Sequence, residues 1–160
     1  IGAGTGLVSI VLSTLLHHLP DRVQANMIAT DLPSAIEVLD KNITDNEHCY
    51  SSIRLKSAVL DWDEETLPEE VHDGVDFIIM ADVTYNTSSF PSLIKTLSRP
   101  HKPPAPPPTV LLAYKERDPD ERRLWDMALE IGLHFQEIGR IPGAGGMPVE
   151  IYSGTFRESF

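Results

Sequence analysis

The 160-residue sequence is long enough for one domain with a sizeable core, and its 41% hydrophobic and 23% charged residues are those of an ordinary folded chain. A formal net charge of −11 excludes a nucleic-acid backbone as the main partner and suits a basic protein or a cationic small molecule. No apolar run approaches the roughly 20 residues that span a bilayer, so no membrane partner is expected. The single cysteine, Cys49, excludes an internal disulfide and suits a reducing compartment, the cytoplasm or also the nucleus.

In chain order, Ile1-Gly2-Ala3-Gly4-Thr5-Gly6 alternates glycines with small residues and then opens into an apolar run. Glycine accepts positive φ and lets a ligand approach the backbone. A turn that opens a helix leaves unpaired N–H groups at the helix start. The motif predicts a nucleotide or nucleoside cradle, and the strand expected to enter it lies before Ile1, so the chain reads as truncated inside the motif. Residues 7–19 predict a buried helix, closed by Pro20, Asp21 and Arg22. His17 and His18 suit the helix dipole in its last turn, and no metal is assigned to them.

Residues 23–30 predict a short strand ending at Thr30-Asp31, and Pro33 is placed to begin a helix that continues through 35–43. Asp45-Asn46-Glu47 reads as a polar loop, residues 53–60 as a strand running into Asp61-Trp62, and 64–74 as a loop or one helical turn. Residues 75–81 are a continuous apolar strand, expected to be buried on both faces, that ends in Asp82-Val83-Thr84-Tyr85-Asn86. A short helix over 90–97 follows, and then a proline-rich loop insertion at 100–108. Residues 109–114 predict a strand, 119–132 an amphipathic helix, and 135–141 with 149–156 a closing strand pair. This alternation is that of a single α/β domain, parallel at first with an antiparallel edge.

Three features converge on a nucleoside. The glycines at 2, 4 and 6 miss the spacing of the dinucleotide fingerprint, which needs a glycine where Leu7 stands. Asp31 at a strand end suits a ribose diol, and Asp61-Trp62 at the next strand end suits an adenine amine and face. Taken singly, Asp31 has a helix cap as its alternative and Trp62 a core position.

Gly2-Ala3-Gly4-Thr5-Gly6-Leu7, Thr30-Asp31, Leu60-Asp61-Trp62, Asp82-Val83-Thr84-Tyr85 and Ala113-Tyr114-Lys115-Glu116-Arg117 together give a closer match. With them the chain resembles the class I, seven-β-strand S-adenosylmethionine-dependent methyltransferases, and within that class the protein-lysine methyltransferases of family 16. The resemblance implies a Rossmann-like three-layer sandwich with a mostly parallel seven-stranded sheet and an antiparallel C-terminal strand pair. It implies S-adenosyl-L-methionine on Gly2, Ala3, Gly4, Thr5, Gly6, Asp31, Leu32, Asp61, Trp62 and Ala81. It also implies a monomer whose partner is a protein presenting a lysine, of the elongation-factor or chaperone class.

Methyl transfer to an amine needs the neutral form, and a free lysine has a pKa near 10.4. Asp82 is expected to orient the amine, with a structural cap as its alternative. Tyr85 is expected to offer its ring to a cation, with simple packing as the alternative. Asn86, Tyr114 and Glu116 are expected to line the substrate channel. A small-molecule amine methyltransferase and a non-catalytic interaction domain remain the competing functions. The 160 residues alone are not expected to be active.

Overall fold

The computed structural model describes residues 1–21, 23–99 and 106–157. It divides into two compact units, Ile1–Asp61 and Trp62–Phe160. Among the described residues there are six strands in two sheets, and no helix is long and apolar enough to cross a membrane. Most of the proline-rich insertion, residues 100–105, lies outside the described residues, as does Arg22.

The first unit runs α1 (Leu7–His17), β1 (Asn26–Asp31), α2 (Pro33–Asn46) and β2 (Arg54–Val59). β1 and β2 pair in parallel, from Asn26 opposite Arg54 to Asp31 opposite Val59. The α2 helix starts at Pro33, whose fixed φ suits the first turn. It buries Leu39 and Ile43 against Ala29, Tyr50, Ile53 and Leu55, and the Tyr50 hydroxyl donates to the Ile43 carbonyl at 2.6 Å. The expected loop at 45–47 is instead the end of this helix followed by a 3₁₀ turn over Glu47–Cys49. The Asn46 side chain supports it by donating to the Asn42 carbonyl.

The α1 helix corrects the expectation of burial. It is apolar around most of its circumference, yet only Ser13 is buried, while Leu7, Val8, Val11 and Leu15 are exposed. Ile10 and Leu16 turn toward the core of this unit, and one face is all that a helix can present to a two-stranded sheet.

The second unit contains β3 (Phe77–Ala81), α3 (Phe90–Leu97), β4 (Thr109–Tyr114), α4 (Arg123–Glu130), β5 (Leu133–Ile141) and β6 (Val149–Phe156), in sheet order β3-β4-β6-β5. β3 and β4 are parallel, and β6 enters antiparallel between β4 and β5. A Cβ on Gly154 would meet the Phe135 ring at 2.7 Å, so glycine there lets β5 lay its aromatic across β6. The α3 helix buries Phe90, Leu93, Ile94 and Leu97, an i, i+3, i+4, i+7 stripe. The helix expected over 119–132 begins as a 3₁₀ turn at Pro119–Arg122, capped by Asp118 accepting from Asp120 N–H.

β3 is not buried on both faces. Ile78 and Met80 are buried, but Phe77 on the other face is 61% exposed. An apolar run predicts a strand without saying which of its faces is covered.

Candidate active site

The residues expected to bind cofactor begin in the first unit. Gly2, Gly4 and Gly6 all have left-handed φ, at 62°, 55° and 85°. The loop is fixed at three points: Ala3 N–H donates to the Thr30 carbonyl at 2.9 Å, Gly6 N–H to the Ala3 carbonyl at 2.9 Å, and the Asn42 side chain to the Thr5 carbonyl at 2.8 Å. At Gly6 a Cβ would stand 2.7 Å from Leu39 Cδ1, so the loop and α2 pack at glycine distance. At Gly4 the space where a side chain would project is open, which leaves its backbone approachable.

Asp31 closes this loop. Its Oδ2 accepts from Gly4 N–H at 2.7 Å and its Oδ1 from Leu32 N–H at 2.8 Å. It is not a helix cap, because Leu32 holds that position and no side chain bonds there. Each carboxylate oxygen keeps a further lone pair for a hydroxyl donor. The glycine turn and the tied carboxylate thus fit the ribose of an adenosyl group. Leu32 is exposed beside Asp31, and Asp61 and Trp62 follow β2 half-buried.

In the second unit, Ala81 ends β3 and Asp82 takes φ 61°, the one non-glycine left-handed residue among those described. Such a conformation costs on the order of 1–3 kcal/mol and marks functional turns. Val83 and Thr84 turn inward while Tyr85 stands 70% exposed. The Asp82 carboxylate pairs with Arg117, with side chains 67% and 41% exposed. An exposed pair contributes about 0–1 kcal/mol, less than the strain that presents Asp82.

Three expected substrate-channel residues are placed differently from one another. Asn86 is a capping residue: its Oδ1 accepts from Ser88 N–H and its Nδ2 donates to Ser89 Oγ. Tyr114 is a correction. It is fully buried, edge-on to Trp125 with ring centroids 4.8 Å apart, and its hydroxyl faces the buried Glu121 carboxyl. The alternation of β4 sends its last residue inward with Val110 and Leu112. Burial drives its pKa well above the usual tyrosine range, with the Arg122 guanidinium opposing. Glu116 is half-buried and accepts from Arg122 Nε at 2.6 Å.

Arg122 organises the surrounding network. It lies over the rings of Tyr114 and Trp125, at 4.9 and 5.1 Å from their centroids, and donates to Glu150 at 3.0 Å and to the Tyr152 hydroxyl at 3.2 Å. Burial works against its charge, but the bonds to Glu116 and Tyr152 and the Glu150 carboxylate outweigh this and raise its pKa. Neither Arg117 nor Arg122 was assigned a role from sequence. Arg117 belongs to the Ala113–Arg117 motif, but no spacing rule links it to an acid 35 positions away.

The lysine methyltransferase family matches residues 1–130. EEF1A lysine methyltransferase 3 of Xenopus tropicalis is 32% identical over 97 residues, 61% of this chain and 38% of that protein. Protein N-lysine methyltransferase METTL21A of Danio rerio is 35% identical over 97 residues, 61% of this chain and 40% of that protein. The chain spans about two fifths of the length of these curated relatives. Among solved structures, a SAM-dependent methyltransferase from Methanosarcina mazei superposes with a TM-score of 0.64 at 13% identity, covering 98% of this chain and 91% of that one. Magnesium protoporphyrin IX methyltransferase from Synechocystis, with bound SAH, gives 0.62 at 10% identity over 96% of this chain and 71% of that one. These likenesses show a Rossmann-like α/β methyltransferase fold.

Proposed function

The chain belongs to the lysine methyltransferase family, and on that premise we propose that it methylates a lysine side chain of a protein substrate, using S-adenosylmethionine. The observation that carries the cofactor reading is the Asp31 carboxylate held by Gly4 and Leu32 N–H beside three left-handed glycines. Support for a protein lysine comes from the relatives named as lysine methyltransferases, one of which carries EEF1A in its name.

When bound, the cofactor supplies an electrophilic methyl group on a sulfonium. The residues proposed to hold it are Gly2, Ala3, Gly4, Thr5, Gly6, Asp31, Leu32, Asp61, Trp62 and Ala81. Asp82 orients the acceptor amine by a charge-assisted hydrogen bond, and the exposed Tyr85 ring offers its face to a cation. Asp82 would hold the amine with its lone pair toward the methyl group that the bound cofactor would supply, and the proton released from the amine would pass to solvent. Alignment of the reactants can supply roughly 7–11 kcal/mol of such a barrier.

The reading includes the mostly parallel seven-stranded sheet of the class, supported by the parallel pairing of β1 with β2 and of β3 with β4. It also includes a monomer, and a place of action in the cytoplasm or nucleus, which the single free cysteine suits.

The test is labelling. Full-length protein, radiolabelled S-adenosylmethionine and lysate from cells lacking the protein should yield a discrete protein band whose label maps to lysine. Label confined to the small-molecule fraction would overturn the proposal. So would no label combined with no cofactor binding by calorimetry.

A further inference from the structure

Asp82 poses a chemical difficulty as an amine-orienting acid. A lone carboxylate beside an ammonium group favours the charged form, and that form has no lone pair with which to attack a methyl group. Arg117 changes this balance. Its Nη2 donates to Asp82 Oδ1, while Asp82 Oδ2 takes no hydrogen bond from a described residue. The guanidinium stays charged throughout the working range. We propose that Arg117 is a positioning residue that shares the Asp82 charge, so that Oδ2 accepts from the substrate amine without fixing a proton on it. The proposal rests on the reading of Asp82 as the acid that orients a lysine amine.

The neighbouring charges leave this task to Arg117. Of the three successive charged residues after β4, Lys115 donates to the Ala144 carbonyl at 2.5 Å, Glu116 is held by Arg122 at 2.6 Å, and Arg117 alone turns to Asp82. On the segment after β2, Asp63 accepts from the Ser92 hydroxyl, Glu65 pairs with Lys95, and Arg99 donates to the Glu64 and Glu65 carbonyls. Tyr85, the other titratable group of the turn, projects outward. The Asp82–Arg117 pair contributes less to stability than the Asp82 backbone costs, so a role at the carboxylate accounts for it better than support of the fold does.

The test is the pH dependence of single-turnover labelling. Cofactor-loaded, full-length protein is held in excess over the acceptor band of the lysate, so the rate reports the bound complex. With the wild type, the rate should rise with pH to a plateau. Arg117→Ala should move the midpoint up by about one pH unit, since a nearby charge shifts a pKa by this order. Its plateau should stay within about threefold of the wild type, and Arg117→Lys should restore the wild-type midpoint. A uniform loss of rate with an unmoved midpoint, or a midpoint moved down, would overturn the proposal while leaving the methyltransferase reading intact. Absence of wild-type label would overturn both. Circular dichroism of each variant verifies that it is folded.

Discussion

Gly4 and Asp31 are joined by a 2.7 Å hydrogen bond from the backbone of the first to the carboxylate of the second, across 27 residues. One carboxylate therefore both fixes the glycine turn and presents its remaining lone pairs to a ligand. Asp31→Ala should weaken S-adenosylmethionine binding by about 10–100-fold, the worth of a charge-assisted hydrogen bond or two. Calorimetry on the full-length protein measures this directly. Asp82→Ala should leave cofactor affinity within a few-fold and abolish turnover. Equal loss of affinity in both variants would contradict the division of roles.

Gly6→Ala should destabilise the fold by about 1–3 kcal/mol, because a left-handed φ and a tight contact act together. The added methyl would sit 2.7 Å from Leu39 Cδ1 at φ 85°. Gly4→Ala meets nothing within 4 Å and should show only the smaller backbone cost. Urea denaturation of the two variants side by side should rank them in that order.

Tyr114→Phe should destabilise the protein by about 1 kcal/mol, because it takes the phenol hydroxyl away from the buried Glu121 carboxyl. The ring would keep its edge-on contact with Trp125. Thermal denaturation reads the shift, and a gain of similar size would show that the hydroxyl is unbonded.

Local pattern made much of this molecule legible in its sequence. Residues 109–114, 90–97 and 149–156 form the strand, helix and strand expected, because alternation, apolar spacing and turn residues agree there. Asp31 was legible because a strand end places an acid at a fixed spot. Tyr114 was not: the motif around it suggests a rim, while the two-residue period of β4 decides that it points inward. Arg117 and Arg122 escaped notice because their partners come from other strands and turns, and distance along the chain carries no sign of such pairing. Covered faces were misjudged on α1 and β3 for a related reason, since hydropathy records what can be buried and not what is available to bury it.

The uncovered side of α1 also governs how the 160-residue chain behaves in a test tube. Leu7, Val8, Val11 and Leu15 give it an adhesive stripe, and its charge of −11 keeps molecules apart only while that charge is felt at a distance. At about 0.15 M salt the repulsion reaches only about 8 Å. Dilute buffer is therefore the condition that keeps this chain dispersed, and added salt is the one that makes it stick to hydrophobic resin and to itself.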